Sequence, residues 1–283
     1  MSLRKICLPS GWYPQTADAV ARFLVKISGE SPSEESALAA VAPHAGWCYS
    51  GVIAAKALLS LKKDVDTVVV IGGHLPGDMR PLMAEEDAVE TPLGEMPMDK
   101  EFRISLGYSL DCLPDRYADN SVEVQLPMVR YFFPEAKLLW LRLPADTYSF
   151  EAGKEIARIA EKLGRRLVVL GSTDLTHYGE NYGYSPRGRG EKALAWVRDI
   201  NDAGFIATVK AGNPQAILDR AEEDRSACSA GAVLGVLGFV QSVTRESGVP
   251  AAELLAYGTS AGVNPGEGEV PDSFVGYGAF CWR

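Results

Sequence analysis

Six short runs in this chain are apolar almost residue after residue: Leu38 to Ala42, Thr67 to Ile71, Leu138 to Leu143, Leu167 to Leu170, Leu254 to Tyr257 and Phe274 to Phe280. A half-buried strand alternates polar and apolar residues, whereas a continuous run bounded by Gly, Pro or polar residues belongs to a strand covered on both faces. Between the runs, apolar residues recur at helical spacing, as in Val20, Phe23, Leu24 and Ile27 and again in Ile156, Ile159, Ala160 and Leu163. Strands alternating with amphipathic helices predict an α/β fold, an αβα sandwich around a central mostly parallel or mixed sheet. In such sheets ligands bind beyond the carboxyl ends of the strands, so the loops after the runs are where chemistry is expected.

No linker rich in Pro, Gly or Ser and no charge run divides the chain, and no internal repeat is visible, so residues 1–283 read as a single domain. Local punctuation agrees with this division into elements. Asn213 followed by Pro214 forms a cap and first-turn pair, and Ser226 is expected to cap a helix from Ala227 to Val243. Asn120 and Glu123 have capping-box spacing, and Pro127 is expected to open a short core-facing helix from Met128 to Phe133.

The net charge of -9 repels phosphate backbones, which argues against a nucleic-acid partner. The longest apolar stretch, Ala230 to Val240, falls well short of the roughly 20 residues a membrane-spanning helix needs. At the start of the chain, Pro9, Gly11 and Pro14 interrupt what a signal peptide would keep apolar, so a cytoplasmic location is expected. Five widely spaced cysteines without a CxxC pair read as reduced thiols rather than a disulfide framework.

All three histidines follow predicted strands: His44 in Val41-Ala-Pro-His-Ala-Gly-Trp47, His74 in Ile71-Gly-Gly-His-Leu-Pro76 and His177 in Gly171-Ser-Thr-Asp-Leu-Thr-His177. Each alone could be a loop histidine satisfied by a carbonyl, but three at equivalent strand ends can face one crevice. Gly46, Gly72 and Gly73 suit loops that pass close to a ligand or turn with positive φ. Asp174 and His177, three apart, would share one face of a short helical turn, with the carboxylate tuning or orienting the imidazole. Cys228, placed in the first turn of the expected helix, would be favoured as a thiolate by the helix dipole; its other reading is inert packing. Tyr178, Tyr182 and Tyr184 are expected at the rim of the crevice, while Arg187 and Arg189 read as solvated. The glycines from Gly262 to Gly268 lack the strand and helix that a nucleotide fingerprint requires.

Taken in order, Gly11-Trp-Tyr-Pro14, Ala42-Pro-His-Ala-Gly-Trp-Cys-Tyr-Ser-Gly51, Ser121-Val-Glu-Val-Gln-Leu-Pro127, Ser172-Thr-Asp-Leu-Thr-His-Tyr-Gly179 and Ser273-Phe-Val-Gly-Tyr-Gly-Ala279 resemble the MEMO-like family, also labelled AmmeMemoRadiSam system protein B. The resemblance spans nearly the whole chain. It implies a fold similar to class III extradiol ring-cleaving dioxygenases, which are non-haem iron enzymes, although fold analogy does not carry activity. It also implies that His44, His74 and Cys228 stand at the family's metal or vestigial metal positions, with Asp174 and His177 as the polar pair across the pocket. The chain departs from the family pattern around His74, where Gly-Gly-His-Leu is one residue shorter than usual. It also has Asn120 and Gln125 where some relatives carry histidine, and Ser229 where a glycine usually follows the cysteine.

Two imidazoles and a thiolate suit a borderline-soft divalent ion, iron first and copper or zinc next, rather than magnesium or calcium. The leading expectation is therefore a metal-dependent, dioxygenase-like protein in which His177 and Asp174 handle a proton. The alternatives are an inactive binding or scaffold protein that recognises a small molecule or peptide alongside a radical SAM modification system, and a metal-free cysteine hydrolase with Cys228 as nucleophile, His177 as base and Asp174 as orienter.

Overall fold

The computed structural model describes residues 2–29, 37–245, 248–263 and 270–283. The glycine-containing loop from 262 to 268 therefore lies mostly outside the described residues. At the centre, four parallel strands are ordered Ala39–Ala42, Leu167–Ser172, Thr67–Leu75, Lys137–Pro144. Antiparallel strands extend both edges: Ser273–Trp282 pairs with Ala39–Ala42, with His177–Gly179 and with Glu253–Thr259, while Leu82–Met83 pairs with Lys137–Pro144 and leads to Leu113–Pro114. The sheet is mixed and the fold is α/β, and every one of the six apolar runs lies in one of its strands.

Successive residues of the central strands point to opposite faces, and both faces are apolar. Val69 and Ile71 join one core, Val68 and Val70 the other, all fully buried. This is why the runs show no alternation. Helices Tyr148–Leu163 and Ala230–Thr244 cover the first face; Ala17–Ser28, Trp47–Ser60 and Leu126–Phe132 cover the second. The two helices on the first face touch backbone to backbone: a Cβ on Gly153 would stand 2.0 Å from the Gly235 carbonyl oxygen, and one on Gly238 would stand 1.8 Å from that of Phe150. The glycines permit this spacing, and any larger residue would force the helices apart.

Three local expectations are corrected. The apolar helix begins at Ala230, with Ser229 before it, rather than at Ala227 behind Ser226. Residues 227–229 are drawn out of helical geometry because the Cys228 N–H donates to the Asp174 carbonyl and the Ser229 N–H to Thr173 Oγ1, while the Ser226 hydroxyl donates to the Arg220 carbonyl. The short helix Asn120–Glu123 is capped by Asp119, whose carboxylate accepts the Ser121 N–H. Glu123 faces away from the cap and accepts the N–H groups of Cys7 and Leu8 and the Tyr13 hydroxyl, pinning the N-terminal segment to the core. Asn213 does cap the Pro214–Glu223 helix as expected, accepting the Ala216 N–H.

A small sheet of Leu3–Arg4, Ala88–Val89 and Met96–Pro97 was not foreseen, since two-residue strands leave no periodicity to read. Among the described residues, no helix is long and apolar enough to cross a membrane.

Candidate metal centre

The carboxyl ends of three of the four parallel strands, Ala39–Ala42, Thr67–Leu75 and Leu167–Ser172, bring His44, His74, Asp174 and His177 to one edge of the sheet, and the segment before the Ala230–Thr244 helix delivers Cys228 to the same place. His44 follows the end of the Ala39–Ala42 strand by two residues and is held from three sides. Its N–H donates to Asp174 Oδ1 at 2.7 Å, its carbonyl accepts the Asn120 side-chain amide at 3.0 Å, and its Nδ1 lies 3.1 Å from Ser172 Oγ. Gln125 donates to that same Ser172 hydroxyl and to the Pro43 carbonyl. Asn120 and Gln125 thus brace the His44 loop rather than supply further ligands.

His74 sits where the Thr67–Leu75 strand loses register with its neighbour, and its φ of 58° is in the left-handed region that non-glycine residues seldom adopt. Gly73 before it is fixed at both ends, its N–H by Ser121 Oγ at 3.1 Å and its carbonyl by Arg142 Nε at 3.0 Å. The glycines serve close packing against protein rather than against a ligand: a Cβ on Gly72 would lie 2.3 Å from Ser121 Oγ, and one on Gly73 would lie 2.4 Å from Ser229 Cβ. Positive φ falls on His74 itself.

The His74 Nδ1 meets Asp119 Oδ2 at 2.9 Å, and the same carboxylate oxygen takes Arg142 at 3.1 Å. Arg142 in turn reaches the buried Asp115 at 3.4 Å. A carboxylate behind the imidazole, itself held by further partners, is the arrangement that orients histidine ligands of metals. Burial opposes a charge on His74, but the hydrogen bonds to Asp119 and Cys228 outweigh it and hold its pKa at about 9. Burial likewise opposes the Asp119 charge, yet the bonds from His74 and Ser121 and the Arg142 guanidinium keep it well below the usual carboxylate range.

With both Nδ1 atoms engaged, the Nε2 edges face inward. Cys228 Sγ stands 3.1 Å from His44 Nε2, and the two imidazole centroids are 4.7 Å apart, nearly perpendicular. The Asp174 N–H points at the sulfur from 3.3 Å, a donor that suits a thiolate. One ligand atom from each of His44, His74 and Cys228 falls within 4.8 Å of the others. Donors around a four-coordinate ion at the usual bond lengths lie about 3.5 Å apart, so the set closes on an ion with small side-chain rotations. The residues fit a borderline-soft transition metal in donor type, in spacing and in the partners behind each ring.

The structure corrects the expected relation of Asp174 to His177. Residues 173–176 form no helical turn, because Thr173 donates to Ala42, Leu175 to Gly276 and Thr176 to Asp202, which pull the segment open along neighbouring strands. Asp174 faces His44 instead, its second oxygen 4.0 Å from His44 Nε2. His177 opens the His177–Gly179 strand, with its ring edge-on to Tyr182 at 5.0 Å. Burial holds its pKa below the usual histidine value, with Asp174 pulling the other way.

His177, His44, His74 and Asp174 all line one cleft of about 790 Å³. Of the three tyrosines expected at its rim, Tyr182 lines it, while Tyr178 is fully buried with its hydroxyl on the Gly188 carbonyl, and Tyr184 donates to the Asp224 carbonyl and borders a smaller hollow.

Three contributors escaped the sequence reading, the first being Asp119, the carboxylate behind His74. Arg142 interrupts an otherwise apolar strand, and a guanidinium there must have buried partners, which was the available signal. Asp202 is fully buried, accepts Thr176 twice and the Tyr257 hydroxyl, and so fixes the loop that carries His177; burial raises its pKa to about 6 against those bonds. It lies in a polar stretch far from any motif, so nothing in the sequence marks it.

A family model described as Memo-like protein matches residues 4–281. Among curated relatives, a MEMO1 family protein of Methanococcoides burtonii is 31% identical over 268 residues, covering 92% of this chain and 94% of its own. Another from Pyrococcus furiosus is 30% identical over 300 residues, covering 99% of each. The crystal structure of an uncharacterized Escherichia coli protein aligns over 85% of this chain and 98% of its own, with 12% identity and a TM-score of 0.47.

Proposed function

Since the chain belongs to the Memo-like family and gathers two imidazoles and a thiol at one strand edge, we propose that it binds a transition-metal ion, iron first with copper or zinc also suited, and acts on a ligand held in the adjoining cleft. The observation that carries this reading is the convergence of the His44, His74 and Cys228 ligand atoms within 4.8 Å, each ring turned by a partner on its far nitrogen. A bound ion would supply Lewis-acid polarisation and, for iron or copper, one-electron chemistry.

The protein's own groups have distinct parts in this reading. Asp119 and Ser172 keep the two Nδ1 atoms occupied, so each ring offers Nε2. Asp174 fixes the His44 backbone and keeps a carboxylate oxygen beside the ligand set. His177, kept neutral by burial and facing the cleft, is placed to take a proton from a ligand hydroxyl. The fold similarity to class III extradiol dioxygenases that the family resemblance implies would extend the reading to a catechol-like substrate with dioxygen as co-reactant.

Anaerobic metal titration with elemental analysis tests it, comparing the unaltered protein with His44→Ala and Cys228→Ala. Near-stoichiometric uptake, lost in both variants, is expected. Unspecific or absent uptake would overturn the metal reading and leave a binding protein whose cleft takes a small molecule or peptide, the class that fits work beside a radical SAM enzyme.

The 3.1 Å approach of Cys228 to His44 favours one competing reading, a metal-free cysteine hydrolase, in which His44 rather than His177 would be the base. Thiol alkylation separates the two. Protection of Cys228 by metal supports coordination, whereas rapid labelling indifferent to metal supports a nucleophile.

A further inference from the structure

Cys228 does not border the cleft that the imidazoles face. Among the described residues the cleft lining includes His44, His74 and His177 but not the cysteine, which is half-buried. The surface that Cys228 exposes lies instead in two hollows on the other side of the ligand set, one of about 590 Å³ against the Pro214–Glu223 helix and one of about 210 Å³ beside Tyr184. Both hollows share Ala221, Ala227 and Cys228, so they meet at the cysteine, and the smaller one reaches His177 and Tyr182 at the back of the cleft.

These hollows are built into the fold. Ala221 on the helix and Ala227 beside the cysteine are small, and a large side chain at either position would occupy the shared space. The chain between them is tied down: the Ser226 N–H and hydroxyl both donate to the Arg220 carbonyl, while the Asp224 carbonyl accepts the Tyr184 hydroxyl and the Asn201 amide. Asp146, Asp219 and Glu222 line the larger hollow and Arg225 the smaller, so a charge of either sign meets a like charge on one of the two approaches. The other four cysteines lack this setting. Cys281 is buried, and Cys7 and Cys48 lie on the open surface. Cys112 borders a hollow of its own, but burial pushes its thiol up to about 12, which leaves little of the reactive thiolate.

Resting on the reading of Cys228 as a metal ligand, we propose that this rear entrance makes Cys228 a modification site for small uncharged disulfides, which withdraw its sulfur from the ligand set without entering the cleft. Cys228 Sγ bonds to one sulfur of the disulfide, the bond between its two sulfurs breaks, and the second sulfur leaves as a thiol carrying the Cys228 proton. Cys228 is oxidised and the departing half is reduced. A sulfur held in a mixed disulfide offers no thiolate to an ion.

Incubation of the metal-free full chain with 2-hydroxyethyl disulfide, followed by peptide mass mapping of every cysteine, tests it. Cys228 is expected to form the adduct about tenfold or more faster than Cys112. Ala221→Trp is expected to slow Cys228 by about tenfold or more and Ala221→Leu by less, with exposed Cys7 unchanged in both. Asn181→Trp narrows the cleft and should leave the Cys228 rate within about twofold. Buried Cys281 stays unlabelled in a folded variant; should the tryptophan at 221 unfold the chain, the leucine variant decides. Equal slowing by Asn181→Trp, unchanged rates in the folded Ala221 variants, or no adduct at Cys228 overturns the proposal. Stoichiometric metal uptake by the modified protein would also overturn it. Because the adducts are mapped without metal, the rear approach can hold in a protein that takes up no ion, and an ion can bind in a protein whose thiol is reached only from the cleft.

Discussion

Replacing Arg142 with methionine should damage the fold and the candidate metal centre together. The guanidinium is almost fully buried and lies between two carboxylates, Asp115 at 3.4 Å and Asp119 at 3.1 Å, while its Nε holds the Gly73 carbonyl. Methionine fills much of the same volume, so the loss is electrostatic rather than a cavity. Removing one partner of a buried ion pair strands the other charge, at a cost of about 3–5 kcal/mol. For 283 residues the unfolding entropy near the midpoint is about 0.6 kcal/mol/K, so the melting temperature of the metal-free protein should fall by about 5–8 °C.

The effect on the metal has a separate cause. Asp119 would lose the charge that faces it and Gly73 the donor that fixes it, leaving His74 free to leave its left-handed conformation. Loss of partners behind a ligand lowers metal affinity by about 10–100-fold. Calorimetry gives the melting shift, competition with a chromophoric chelator gives the affinity, and the His74 imidazole nitrogen shifts of the metal-free protein give the ring's protonation state. Arg142→Lys, which keeps the charge but not the fork, should recover part of the stability and less of the affinity. A methionine variant that melts within about a degree of the parent and binds metal within about twofold would refute the chain of support from Arg142 through Asp119 to His74.

Gly73→Ala should act on Cys228 from the other side, since the new Cβ would stand 2.4 Å from Ser229 Cβ and must push the Cys228–Ser229 segment away from His74. A destabilisation of about 1–3 kcal/mol is expected, with weaker metal binding and faster Cys228 alkylation; unchanged alkylation would show that the segment does not move. Metal affinity should also depend on pH in a definite direction. His74 binds its proton up to about pH 9 in the metal-free protein and must release it to coordinate, so affinity should rise by about tenfold per pH unit between pH 6 and 8. In Asp119→Asn that slope should flatten within this range, because the carboxylate that favours the imidazolium is gone; an unchanged slope would assign the competing proton to another group.

Much of the site was legible in advance because its residues are tied to strand ends. An apolar run buried on both faces announces a central strand, and a histidine just beyond it is delivered to the carboxyl edge by chain geometry alone, as with His44 and His74. Cys228 joins the same candidate site, although not by the expected route: the helix dipole was expected to set its chemistry, whereas the thiol lies before the helix and takes its donor from the Asp174 backbone. The shared helical face expected for Asp174 and His177 failed because spacing of three implies one only within a helix, and neighbouring elements claim residues 173–176 instead, although the carboxylate still acts on the imidazole through its charge.

The sequence by itself determined the layers, the edge at which the site forms and the types of donor that meet there, because these follow from local periodicity and from which atoms each residue carries. Only the tertiary structure decided which nitrogen each imidazole offers, that Asp174 serves His44, and that Arg142 and Asp119 stand behind His74. Those contacts join residues tens to more than a hundred positions apart, as with the 45 between His74 and Asp119 or the 130 between His44 and Asp174. Hydrogen-bond direction is fixed over a few ångströms by whatever packing brings close, and no local pattern in the chain records it.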